Sequence, residues 1–280
     1  MSKDKIKKMI QNLNLDDDFL FAKVMSDKEI CRKVLEQILG IPIKEIKYLN
    51  EQKVIDILLD SKAVRLDIYV KDDNNTVYNV EMQKSDNKNL PKRSRYYQGA
   101  IDLDCIQKGK DYNELNKSFV IFICTFDPFD KGRHLYTFEN LCLEDLTLRL
   151  EDETTKIFLN TKGKLADVDQ SMIEFLTYIE NSTDEYANQV NSELVKEINK
   201  KVKHLKTDKS MEVEYMTLYE RDKEKFQEGK AEGIQEGIIE GVEKNKLENA
   251  KALLDLLDDE TIAERIGLPL EVVKQLRLED

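Results

Sequence analysis

Asp67 and Glu81 stand in two runs rich in β-branched and aromatic residues, "RLDIYV" and "YNVEMQ", joined through the polar stretch "KDDNN". Such runs favour strands, and clustered Asp and Asn favour a turn, so residues 64–85 read as an antiparallel hairpin. With the turn near Asn74, positions 67 and 81 are symmetric about it and fall opposite each other, about 5 Å apart at Cβ. Two carboxylates at that distance repel, and one pKa rises, unless a cation lies between them. A hard, oxygen-seeking ion such as Mg²⁺ suits the position. An ion held there polarises phosphoryl oxygens and acidifies water, the chemistry of phosphodiester hydrolysis. Gln83, two residues beyond Glu81, points to the same side and can orient water or phosphate, although it neither carries charge nor titrates. A plainer account also fits. Asp67 and Glu81 are then the solvent side of an amphipathic ribbon whose buried side is Leu66, Ile68, Val80 and Met82.

The run "KSDNKNLPKRSR" follows at once, with Lys84, Lys88, Lys92, Arg93 and Arg95 against Asp86, a net of +4. It serves either as a phosphate-holding patch or as a solvated helix start. Arg95 and Gln98 are candidate phosphate contacts. Of Tyr96 and Tyr97, either can stack on a base, or one belongs to the core and the other to the surface. Asp18 and Glu51 lie in segments that could approach the hairpin, yet read first as exposed acids. His134 and His204 are the only histidines, there is no GxxxxGK loop and no Ser, His, Asp trio emerges. Zinc, serine-hydrolase and nucleotide-driven motor chemistry therefore lack raw material.

The elements that must position these residues follow from periodicity. "DDDFLFAKVM" predicts a short helix with Phe21, Val24 and Met25 inward. "SDKEICRKVLEQILG" predicts a second, with Ser26 as N-cap, Glu29 as its capping-box partner and Gly40 as the stop. Strands are expected over "KEIKYLNEQKVI", "KAVRLDIYV" and "TVYNVEMQ". A helix with Pro91 in its first turn and Gly109 at its end comes next. "KSFVIFICTF" has the continuous apolar character of a central strand covered on both faces; "HLYTFENLCL" and "TTKIFLNTKG" are further strands, and helices follow. The order predicts an α/β sheet sandwiched by helices.

Four of the ten glycines, Gly229, Gly233, Gly237 and Gly241, recur every fourth residue, each after a glutamate. On a helix they form one stripe beside Ile234, Ile238 and Val242. Each costs about 1 kcal/mol relative to alanine, so the repeat reads either as a weak helix or mobile linker, or as a contact in a homo-oligomer. "TIAERIGLPLEVVKQL" places Ala263, Gly267, Val273 and Leu276 at helix-turn-helix offsets. Residues 260–280 carry five acids against three bases, which favours a capping or protein-binding hairpin over a DNA reader.

The whole chain has 280 residues and a formal charge of -12, which opposes indiscriminate adhesion to nucleic acid or anionic lipid. Any DNA contact must be local. Cys31, Cys105, Cys124 and Cys142 lack CxxC spacing and sit beside apolar residues, as reduced core thiols do. No apolar run is long enough to span a bilayer, and the first residues lack the apolar core of a signal peptide. A soluble, cytoplasmic protein without membrane contact is expected.

"RLDIYV", "YNVEMQ" and "RSRYYQGAIDLDCIQKGKDYNELNKSFVIFICTFDPF", in that order, resemble the Rpn family of recombination-promoting nucleases and putative transposases, within the PD-(D/E)XK superfamily. "DDDFLFAKVM" and the glutamate-glycine tail are similar to that family as well. The resemblance covers residues 16 to about 215 plus the repeat. It implies a restriction-endonuclease-like core, a mixed central sheet flanked by helices, over residues 1–215, with a helical tail over 216–280. It also implies Mg²⁺-dependent cleavage of DNA, with Mn²⁺ able to substitute. Asp67 matches the first metal-binding acid, Glu81 the second, the Met82 carbonyl a further ligand, and Gln83 the place where the wider superfamily often has lysine. Two other accounts are a catalytically inactive nuclease-fold protein that binds DNA or protein, and a transposase with an RNase H-like carboxylate triad.

Overall fold

Capping side chains set the first helices of the computed structural model, which describes residues 3–55 and 64–279. α1 spans Lys3–Gln11, α2 Asp18–Met25 and α3 Lys28–Leu39. Asp17 caps α2, its carboxylate accepting from the N–H groups of Phe19 and Leu20. α3 starts from Asp27 rather than Ser26: the Asp27 carboxylate accepts from Glu29 and Ile30. Ser26 is consumed in closing α2, where its N–H donates to the Ala22 carbonyl. Either side chain could cap; the end of the preceding helix decides. Gly40 stops α3 in the left-handed conformation, φ 65°.

β1 (Ile46–Ile55), β2 (Val64–Asp72) and β3 (Val77–Gln83) form an antiparallel meander. Lys62 and Ala63, expected at the start of β2, lie outside the described residues. α4 (Leu90–Cys105) then crosses over to β4 (Ser118–Cys124), which pairs parallel with β3. A parallel pair requires such a crossover. Pro91 sits in the first turn of α4 as expected, but the helix stops at Cys105 because Ile106 is already extended; Gly109 belongs to a later turn. β5 (Leu135–Phe138) and β6 (Thr154–Asn160) complete a mixed sheet of order β1-β2-β3-β4-β6-β5. Every residue of β3 and β4 is buried, which fits their place at the centre.

Leu90, Tyr97, Ala100 and Ile101 of α4 pack on Tyr69, Val120, Phe122 and Phe158 of the sheet. α5 (Gln170–Glu180), α6 (Asp184–Gln189) and α7 (Glu193–Thr207) follow. α2 packs on β2 and α3 on β1, and α7 contacts both helices. All four cysteines are free thiols. Cys31 and Cys124 are buried, whereas Cys105 and Cys142 are half-buried rather than core.

The chain divides into two compact units, Met1–Val213 and Glu214–Asp280. α8 (Lys209–Leu253) carries the glutamate-glycine repeat as continuous helix rather than as a linker. Within the second unit, α9 (Asp259–Ile266) and α10 (Leu270–Glu279) turn about Gly267, φ 70°. Ile262, Val273 and Leu276 close on Ala250 and Leu254 to make a small apolar core of its own. Among the described residues, no helix is long and apolar enough to cross a membrane.

Candidate active site

The β2–β3 ladder pairs Ile68 with Val80 and Lys71 with Val77, the register of a hairpin symmetric about Asn74. Beyond Ile68 the backbone ladder gives way. The N–H of Asp67 donates to Oε1 of Glu81 at 3.0 Å, and the N–H of Met82 donates to Oδ2 of Asp67 at 3.2 Å. Two carboxylates thus stand in for the backbone carbonyls of parting strands. On the other side, β1 pairs Glu51 with Ile68 and Lys53 with Leu66, so that Gln52 falls opposite Asp67. Gln52 has φ 56°, a conformation costing a residue with a Cβ about 1–2 kcal/mol. Leu66 shares an apolar cluster with Tyr69, three residues on, so the alternation of β2 is interrupted at Asp67. This corrects the placing of Leu66 with Ile68 on one uniform face.

Neither acid is the outer edge of an amphipathic ribbon, and Glu81 is 0% exposed. Burial, then the charge of Asp67, pushes the Glu81 carboxyl up to about 8. Burial, then the charge of Asp18, raises Asp67 to about 6, against the opposing Met82 N–H and the charges of Arg93 and Arg65. So close a pair titrates jointly. Asp18, read in the sequence as an exposed acid, is therefore near enough to act on the site. Asn79, two residues before Glu81 and 0% exposed, makes no hydrogen bond through either amide atom.

The basic run lands differently from expectation. Arg93, in the first turn of α4, donates from Nη2 to Oε2 of Glu81 at 2.9 Å and from Nη1 to Oε1 of Gln83 at 2.6 Å. Its Nε donates to the Tyr97 hydroxyl at 2.7 Å. Gln83 in turn donates to the Ser85 carbonyl at 2.8 Å, which fixes its amide with the oxygen toward Arg93. Lys84 pairs with Asp16 and Lys88 with Asp86, leaving Lys92 and Arg95 as exposed cations without an ion pair among the described residues. Gln98 is not available to phosphate: it is buried and donates to Asp102 and Ser118. Tyr97 belongs to the core and Tyr96 to the surface. His134 is a buried structural residue bonded to Asp167 at 2.9 Å.

Arg93 is the participant that sequence reasoning placed in the phosphate patch rather than at the acids. Its signal was present, a cation ten and twelve residues from Gln83 and Glu81 at the start of the crossover helix. The angle at which α4 returns over β3 was not.

Among the described residues, no three Asp, Glu, His or Cys side chains gather as a ligand cluster. The donors at the strand gap are the Asp67 and Glu81 carboxylates. The Met82 carbonyl joins them, directed to the β2 side as its N–H is. Mg²⁺ keeps several waters and commonly takes only one or two protein carboxylates with substrate phosphate. Two adjacent, desolvated carboxylates with raised pKa values fit such an ion, which would offset their repulsion.

A mixed sheet flanked by helices, with facing acids where β2 and β3 part, defines a nuclease-like α/β protein. The chain belongs to the PD-(D/E)XK nuclease family transposases, whose family model it matches over residues 16–237. Nucleases of this superfamily generally use divalent metals. Neither the curated proteins nor the solved structures compared with the chain include a match.

Proposed function

We propose that the protein is a cytoplasmic, Mg²⁺-dependent DNA endonuclease acting in recombination or on mobile elements, with Mn²⁺ able to substitute. Asp67, Glu81 and the Met82 carbonyl hold the ion. The observation that carries this reading is the exchange of backbone pairing for carboxylate pairing at the parting of β2 and β3. An ion bound there supplies Lewis acidity toward a phosphoryl oxygen and a more acidic water. Asp67 and Glu81 fix its place, and burial by α4 excludes bulk water from the Glu81 side. Gln83 orients the phosphate-facing groups through its amide. The exposed Lys92 and Arg95 hold the DNA backbone. Plasmid nicking with and without EDTA tests the reading: wild type nicks with Mg²⁺, EDTA stops it, and Asp67→Ala or Glu81→Ala is inert. Unchanged nicking by both variants removes the site.

A second reading is a nuclease-fold interaction protein that assembles through its tail as a homo-oligomer. Both Glu81 oxygens already accept from protein donors, which favours it. Calorimetry with Mn²⁺ separates the two, since this second reading expects no binding.

A further inference from the structure

Phosphodiester cleavage builds negative charge on the phosphoryl oxygens, and a preorganised cation aimed at that charge is a major source of rate. Gln83 cannot supply it. Lys84 is held by Asp16 at 3.0 Å. Arg65 acts on Asp67 only through space, and less than Arg93 does. Arg93 touches both Glu81 and Gln83, and its guanidinium lies over the rings of Tyr97 and Phe122, with its carbon 5.0 and 5.6 Å from the ring centroids.

We propose that Arg93 is a catalytic residue of this site, donating to the scissile phosphate from the crossover helix. The inference rests on the nuclease reading above. Three of the five guanidinium N–H groups are committed, to Tyr97, Gln83 and Glu81, which leaves two for a substrate oxygen. The side chain is 30% exposed where its partner Glu81 is 0%, so the arginine is the member of this pair that is open to solvent. An arginine serving only to neutralise Glu81 has no need of the bond to Gln83. The Ser85 carbonyl, by fixing the Gln83 amide, makes Gln83 the positioning residue for this cation. The ring contacts and the Tyr97 hydroxyl hold the guanidinium plane before substrate arrives, so little ordering is left to the transition state.

Moving the charge tests the assignment. Arg93→Met keeps much of the stem that packs on Tyr97 and Phe122 while removing the cation. Single-turnover cleavage of a DNA duplex at saturating Mg²⁺ is expected to fall ~100-fold to 1000-fold, with Mn²⁺ affinity by calorimetry retained. Because Nη1 of Arg93 sits 2.6 Å from the Gln83 oxygen, Gln83→Lys places an ammonium near the vacated position. The double variant Gln83→Lys/Arg93→Met is therefore expected to recover at least ~10-fold of the loss. Arg93→Lys, which keeps charge with shorter reach, is expected to be intermediate, and it serves should Arg93→Met fail to fold. Wild-type cleavage by Arg93→Met, or a folded, Mn²⁺-binding double variant no faster than Arg93→Met, overturns the inference while leaving the nuclease reading intact. Loss of cleavage in step with loss of Mn²⁺ binding assigns Arg93 to structure alone. A wild-type chain that cleaves no DNA with either Mg²⁺ or Mn²⁺ overturns the nuclease reading, and this inference with it.

Discussion

The backbone N–H of Asp67 donates to the carboxylate of Glu81 at 3.0 Å, so one acid is held by the strand that carries the other. The two charges cannot separate without breaking the hairpin. Their repulsion is therefore built into the fold, and it is measurable.

Stability of the metal-free protein depends on pH through this pair. Both carboxyls are raised in the folded state, from 3.8 to about 6 for Asp67 and from 4.5 to about 8 for Glu81. The folded chain then binds more protons than the unfolded one between those limits, and its stability declines as pH rises through them. The contribution is complete below about pH 4 and gone above about pH 8. Thermal unfolding of metal-free protein should show Tm falling across this window, and millimolar Mn²⁺ should reverse the fall at the alkaline end by binding only the folded state. A Tm flat with pH and unmoved by Mn²⁺ contradicts the pairing.

Asp67→Asn separates repulsion from ligation. The amide oxygen can still accept the Met82 N–H, while the charge beside Glu81 is gone. At pH 8 without metal the variant is expected to be more stable than wild type by about 1 kcal/mol, the scale of one pKa unit. Calorimetric Mn²⁺ binding should be lost. A variant that binds Mn²⁺ as wild type does would show that Asp67 is no ligand.

Tyr97→Phe removes the hydroxyl that accepts from Nε of Arg93 at 2.7 Å and leaves the ring over which the guanidinium lies. Urea unfolding should register a loss of about 1.5–3 kcal/mol for one hydrogen bond to a charged group. Cleavage should fall less than in Arg93→Met. Equal losses would mean that the hydroxyl, rather than the arginine, is the group that matters.

In α8, a Cβ added at Gly229, Gly233, Gly237 or Gly241 meets nothing within 4 Å. Alanine at each should raise helix stability by about 1 kcal/mol, visible as increased helicity and Tm by circular dichroism of the full chain. Light scattering then decides what the bare stripe does. A mass that drops in the four-alanine variant makes the stripe a contact between copies, and an unchanged monomer makes it an isolated helix.

The hairpin register was legible because turn chemistry and the two-residue period fix it: Asp67 and Glu81 follow from symmetry about Asn74, as Ile68↔Val80 requires. The central position of "KSFVIFICTF" was legible for the same local reason, an unbroken apolar run. The cap at Asp27 was not, because two adjacent residues can both cap and the choice depends on where α2 ends. Arg93 at the acids and Asp18 beside them were not legible either. Each belongs to a helix whose approach to the sheet is set by side-chain packing, such as Tyr97 against Phe122, at a distance the one-dimensional pattern does not encode. Gln52 illustrates a further limit. It stands opposite Asp67 with a positive φ, beside the break in alternation that moves Leu66, and nothing in its residue type announces that conformation.

The crossover placement of Arg93 sets an order of assembly. The hairpin bearing both acids closes over a short loop, whereas the guanidinium arrives only once α4 has swung back and β4 has docked beside β3. A nascent or partly unfolded chain thus presents two mutually repelling acids with no counterion, and the finished tertiary structure is what tames them.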